Sequence, residues 1–128
     1  MKQTLVTISC AFVLVFSAFA VARPALNGKS VEASATNPAG YLSLPESGKG
    51  PGVLVLHAWW GLNDTFKGVC DRLADEGFVA FAPDLYHGKV ATTIPEAEAL
   101  GNELDMNHQR ARSDVRLAEQ FLAGQSTQ

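Results

Sequence analysis

Pro51 to Gly88 reads PGVLVLHAWWGLNDTFKGVCDRLADEGFVAFAPDLYHG, a strand, a helix and a second strand with a loop after each strand. The apolar run Gly52 to His57 shows no in/out alternation, which predicts a strand covered on both faces, as in a parallel sheet layered with helices. It ends in His57-Ala58-Trp59-Trp60-Gly61. Asn63 or Asp64 caps a following helix in which Phe66, Val69, Cys70, Leu73 and Ala74 recur at helical spacing and make one apolar stripe. Gly77 ends that helix in the left-handed position that helix C-termini favour. Phe78 to Ala82 is a second short buried strand, stopped by Pro83 and leading into Asp84-Leu85-Tyr86-His87-Gly88. The two strands are expected to be parallel neighbours or near neighbours joined by a right-handed crossover. Chemistry in such a unit sits on its two loops.

On the N-terminal side, Lys29 to Ser34 and Gly40 to Leu44 are short strands separated by a turn with Pro38, which predicts an antiparallel hairpin at one sheet edge. On the C-terminal side, Lys89 to Thr93 is a loop and Pro95 to Leu104 a short helix with Thr93 or Ile94 near its start. Asn107 to Ala123 is a longer amphipathic helix with Ala111, Val115, Ala118 and Leu122 on one face, flanked by Leu117 and Phe121, and ended by Gly124. Only Gln125 to Gln128 follow it in this sequence, so the helix that should lead into another central strand leads into none. The expected fold class is α/β: an N-terminal hairpin plus two parallel strands with helices, a partial three-layer sandwich.

Residues 1–22 read as a secretory signal peptide, with Lys2 at a short basic start, an apolar run from Leu5 to Phe16, and small-residue cleavage sites up to Ala22. An uncleaved anchor is the alternative, because Leu5 to Ala22 is just long enough to span a bilayer. The expected localisation is secreted or periplasmic. Residues 23–39 form a linker and the first edge strand, and residues 40–128 the domain proper. A doubly layered α/β sheet usually needs about 150 residues or more, so the domain looks short for its architecture. The formal net charge is −3, with no basic run, which gives no reason to propose a nucleic-acid partner. Behind the expected cleavage site Cys70 is the one cysteine, which leaves no internal disulfide and no paired-cysteine metal site. His87 and His108 have no metal-like spacing, and no metal or cofactor is expected.

The element order, with the strings HAWWGLND and FAPDLYHGKVATT, resembles the dienelactone hydrolase family of α/β-hydrolases from about Gly40 to Ala123. The resemblance implies hydrolysis of lactones and related carboxyl esters by a Cys-His-Asp triad whose nucleophile lies in a G-x-C-x-G turn between strand and helix. That pattern is absent: Gly68-Val69-Cys70-Asp71-Arg72 lacks the final glycine and lies within a helix, and Cys70 falls on the apolar stripe. The family's nucleophile comes one strand after the long helix, and its acid and histidine later still. The expectation is therefore the front half of such a domain, truncated before the nucleophile and inactive alone.

What the resemblance assigns to this half is the oxyanion side of the pocket, with the backbone N–H of Trp59 as the first donor. Trp60, Tyr86 and Lys89 are the expected substrate-side residues: Trp59 and Trp60 wall an acyl pocket or cap the core, and Tyr86 and Lys89 stand at its mouth. Arginine near the position of Gly88 often binds the substrate carboxylate in the family, and Lys89 would replace it with a point charge instead of a fork. Where many members carry a glutamate against the resting cysteine, this chain has Ala58. His57 either orients the oxyanion loop or is a satisfied buried histidine. Asp84 reads as a turn cap bonding loop amides and not as the triad acid.

The expected partner is a small-molecule ester or lactone, with no stable membrane contact unless the signal segment stays uncleaved. The strand Val53 to His57 is expected to lack one neighbour, which leaves an open apolar edge for self-association. The competing readings are a non-catalytic small-ligand binding protein on a degenerate half-fold and a flavodoxin-like cofactor domain. The last lacks the glycine- or Ser/Thr-rich loop it should carry after the first strand.

Overall fold

The computed structural model describes residues 25–126, and the expected signal segment 1–22 lies outside the described residues. The elements are β1 (Lys29–Val31), β2 (Gly40–Ser43), β3 (Gly52–Leu54), α1 (Asp64–Asp75), β4 (Val79–Pro83), α2 (Ile94–Met106) and α3 (His108–Gln125). β1 and β2 form the expected antiparallel hairpin, β2 pairs antiparallel with β4, and β3 pairs parallel with β4, giving the order β1-β2-β4-β3. Every residue of β4 is buried because it has a strand on each side and a helix on each face.

The side-chain period of two sorts the core into two layers. From β4, Ala80 and Ala82 turn with Tyr41 toward Cys70, Phe66 and Leu73 of α1. Val79 and Phe81 turn the other way, with Leu42, onto Ala118, Leu122 and Phe121 of α3. Within β4 the small alanines face α1 and the large residues face α3. The Phe81 and Phe121 rings meet at 4.8 Å between centroids. Full burial of Phe81 contributes roughly 2–3 kcal/mol on transfer alone. This is the three-layer arrangement that the sequence predicts.

The ends of α1 and the start of α2 follow their signals, whereas α3 is corrected: it runs through Gly124, the residue expected to end it, to Gln125. Asn63 caps α1 by accepting from the N–H groups of Thr65 and Phe66, and Gly77 follows the helix at φ +93°. Thr93 and Glu96 form a capping box at the start of α2.

The strand expected over Gly52 to His57 is corrected. It ends at Leu54, Gly52 is exposed, and Val53 and Leu54 are only half-buried. Among the described residues β3 has one strand neighbour, so one edge and part of one face stay open. The Val55 N–H still donates to the Phe81 carbonyl at 2.9 Å, after which the chain leaves the sheet with Leu56 exposed. The expected first strand is shortened as well, because residues 32–36 are exposed and have no partner strand to extend them.

Candidate active site

The loops after β3 and β4 lie side by side, because parallel neighbours deliver their C-terminal ends to the same edge of the sheet. His57 ties them together. Its Nε2 accepts from the Leu85 N–H at 3.2 Å, which leaves the ring proton on Nδ1, and Nδ1 lies 3.0 Å from the Ala58 carbonyl it donates to. The imidazole also meets the Tyr86 ring edge-on, with centroids 4.7 Å apart. His57 is half-buried and its ring nitrogens both have partners.

Each carbonyl of the turn Ala58-Trp59-Trp60 has a donor. The Gly61 N–H reaches the Ala58 carbonyl at 3.0 Å, the Tyr86 hydroxyl reaches the Trp59 carbonyl at 3.5 Å, and the Ala91 N–H reaches the Trp60 carbonyl at 3.0 Å. Gly61 closes the turn at φ +89°, and a Cβ there would lie 2.8 Å from the Lys89 carbonyl oxygen, so this position requires glycine. The N–H groups of Trp59 and Trp60, in contrast, have no partner among the described residues. A turn whose carbonyls are all engaged while its N–H groups are unspent is a local source of positive potential.

The Trp59 indole is 43% exposed and stands edge-to-face against Trp60 at 5.6 Å. Trp60 is half-buried. An open groove of about 450 Å³ runs from Trp59 along α2, lined by Glu98, Gly101, Asn102, Leu104 and Asp105. Tyr86 is buried against this loop system, and burial followed by the charge of Asp105 raises its hydroxyl pKa. Lys89 is exposed, and its ammonium lies 3.0 Å from Glu103 of α2. Asp84 bonds loop amides as expected: Oδ1 accepts from the Tyr86 N–H at 3.1 Å and Oδ2 from the Gly88 N–H at 2.6 Å. That brace holds His87 at φ +52°, with its Nε2 3.4 Å from Asp114 of α3. Cys70 is fully buried on the α1 stripe, and burial, then the neighbouring Asp71 charge, pushes its thiol up to about 11. It is thus a core residue remote from thiolate chemistry at neutral pH. Among the described residues no group of three His, Cys, Asp or Glu side chains is placed to hold a metal.

Sequence reading missed the most heavily bonded carboxylate of the described chain, Asp71. It accepts from the N–H groups of Asn27 and Gly28, each at 3.0 Å, from the Tyr41 hydroxyl at 3.0 and 3.2 Å, and from the Ser43 hydroxyl. The one available signal was Tyr41 and Ser43 two apart on a strand, which puts two hydroxyls on the same face.

The family model described as "Dienelactone hydrolase family" matches residues 39–128. The chain is 49% identical over 71 residues to Protein usf of Aquifex pyrophilus, covering 53% of this chain and 30% of that one. It is 50% identical over 68 residues to a putative carboxymethylenebutenolidase of Aquifex aeolicus, covering 51% and 29%. To the carboxymethylenebutenolidase of Pseudomonas sp. strain P51 it is 36% identical over 92 residues, covering 66% and 39%. The solved structure named m3DLH superposes with a TM-score of 0.65 at 27% identity, covering 77% of this chain and 43% of that one. The chain therefore spans about a third of the length of these curated relatives. Since the family match takes in both loops, the turn at Trp59 and every strand from β2 onward, the chain belongs to the dienelactone hydrolase family.

Proposed function

We propose that this chain supplies the oxyanion side of a carboxyl-ester or lactone hydrolase active site, with the Trp59 N–H as one donor to the developing negative oxygen. The observation that carries the reading is the turn at Ala58 to Trp60, whose carbonyls are all engaged while the Trp59 N–H is unspent. A donor fixed before the reaction stabilises transition-state charge without reorganisation. The exposed Trp59 indole offers an apolar wall for the acyl group, with Trp60 behind it and Tyr86 closing the floor. Lys89, already neutralised by Glu103, contributes little free charge, which favours an uncharged ester over one carrying its own carboxylate.

The nucleophile lies outside these 128 residues in this reading, together with the acid and histidine that activate it. Cys70 is buried and its thiol is raised, so the chain alone hydrolyses no ester above background. Residues 1–22 direct export, which places the protein in a secreted or periplasmic compartment. Cys70 in the core also supports a second reading, in which the same turn and aromatic wall bind a small ligand without turnover. Assay of the chain with an activated acetate ester tests the first reading: no hydrolysis is expected, and turnover abolished by Cys70→Ala would refute the placement of the nucleophile. Joined to a segment bearing G-x-C-x-G followed by Asp and His, the chain is expected to hydrolyse the ester, whereas ligand binding with no turnover in the joined protein would favour the second.

A further inference from the structure

The oxyanion reading leaves open what aims the Trp59 N–H, and the geometry points to His57 as the positioning residue; this inference rests on that reading for its functional meaning. Ala58 and Trp59 share one trans peptide plane, since the described residues contain no cis peptide bond. In such a plane the carbonyl of the first residue and the N–H of the second point in opposite directions. Whatever holds the Ala58 carbonyl therefore sets the direction of the Trp59 N–H.

Two donors hold that carbonyl: the Gly61 N–H, which closes the turn, and His57 Nδ1, both at 3.0 Å. The first belongs to the turn itself and moves with it. The second is anchored elsewhere, because the same ring accepts from Leu85 N–H on the loop after β4 and leans on the Tyr86 ring. The bond to Leu85 also fixes the tautomer: a ring whose Nε2 lone pair is occupied by an N–H must carry its proton on Nδ1, the nitrogen that faces Ala58. One imidazole thus converts the position of the β4 loop into the orientation of the Trp59 peptide. Tyr86 assists more weakly, its hydroxyl lying 3.5 Å from the next carbonyl, that of Trp59.

The two nitrogens are separable by substitution. Asparagine places an amide near the position of Nδ1, so His57→Asn keeps the donor to Ala58 and gives up Leu85. Glutamine reaches the position of Nε2, so His57→Gln keeps the tie to Leu85 and gives up the donor. The measurement is the set of residual dipolar couplings of backbone amides in the ¹⁵N-labelled chain. The Trp59 coupling is expected to match the structure in the wild type and His57→Asn and to depart from it in His57→Gln and His57→Ala, while the amides of β4 stay unchanged in all four. An unchanged Trp59 coupling in His57→Ala, or equal behaviour of the Asn and Gln variants, overturns the assignment. If a variant does not fold, long-range ¹⁵N–¹H correlations of the wild-type imidazole decide: a proton on Nδ1 supports the brace, and a proton on Nε2 refutes it. Neither readout involves an ester, so a failed hydrolysis assay and a failed brace remain separate results.

Discussion

Asp71 and the Trp59 turn are both polar clusters built from distant parts of the chain, and they differ in what is left over. At Asp71 all four groups that converge on the carboxylate are engaged by it, in a nearly inaccessible site joining the segment before β1, the strand β2 and the helix α1. At the Trp59 turn the carbonyls are consumed and the N–H groups are not, and the adjacent indole faces solvent. A fully satisfied buried cluster specifies structure, whereas donors held in place and left unspent are available to a ligand. The contrast predicts opposite sensitivities: stability should concentrate at the first cluster and ligand response at the second.

Asp71→Ala carries the largest expected effect. It leaves two buried hydroxyls and the Asn27 N–H without their acceptor, while the Gly28 N–H keeps the Tyr41 oxygen, at a cost of about 3 kcal/mol in urea denaturation. A loss below about 1 kcal/mol would erase the distinction between the clusters.

Acid should act through the same carboxylate. Burial raises the Asp71 pKa, but the hydrogen bonds from Ser43, Asn27, Tyr41 and Gly28 outweigh it and hold the group below the ordinary aspartate value. A depressed folded-state pKa means that its stabilising contribution is complete above the unfolded value, near about 4, and is lost as pH falls through the folded value. Stability of the wild type is therefore expected to drop as pH falls below about 4 more steeply than that of Asp71→Asn. Parallel profiles for the two proteins would show that the carboxylate is not the acid-sensitive group.

Tyr41→Phe should cost about 1 kcal/mol, since it removes one of several donors and keeps the ring in the α1-facing core. Trp59→Ala is expected to change stability least, by about 0.5 kcal/mol, because much of its ring is already in water. A loss for Trp59→Ala as large as that for Asp71→Ala would make the indole a core element and remove it from the ligand wall.

Local signals in the sequence carried most of the fold. Asn63, Gly77, Thr93 and Glu96 act through neighbours within a few residues, so the ends of α1 and the start of α2 were legible without tertiary context. The stripe from Phe66 to Ala74 likewise foretold which face of α1 meets the sheet, and the apolar run Phe78 to Ala82 foretold a second buried strand. The absence of alternation in Gly52 to His57 misled, because apolar composition reports what a strand can bury and not whether a neighbour is there to bury it. Asp71 was illegible for a different reason: its hydroxyl partners lie 28 and 30 residues away and meet it only when β2 is placed beside β4 under α1. The bond between His57 and Leu85, 28 residues apart, has the same origin in parallel pairing. Trp59, Trp60, Tyr86 and Lys89 lie on adjoining loops, with Tyr86 buried instead of standing open at a mouth and Lys89 held by Glu103.

The central claim is that the Trp59 N–H is a donor waiting for an anionic oxygen, and a tetrahedral anion that mimics the attacked ester tests it most directly. Titration of the ¹⁵N-labelled chain with an alkyl phosphonate monoester, followed at every backbone amide, is expected to move the Trp59 resonance saturably and further than that of any residue outside the two loops. A Trp59 amide that stays in place while the Lys and Arg surface responds would contradict the account.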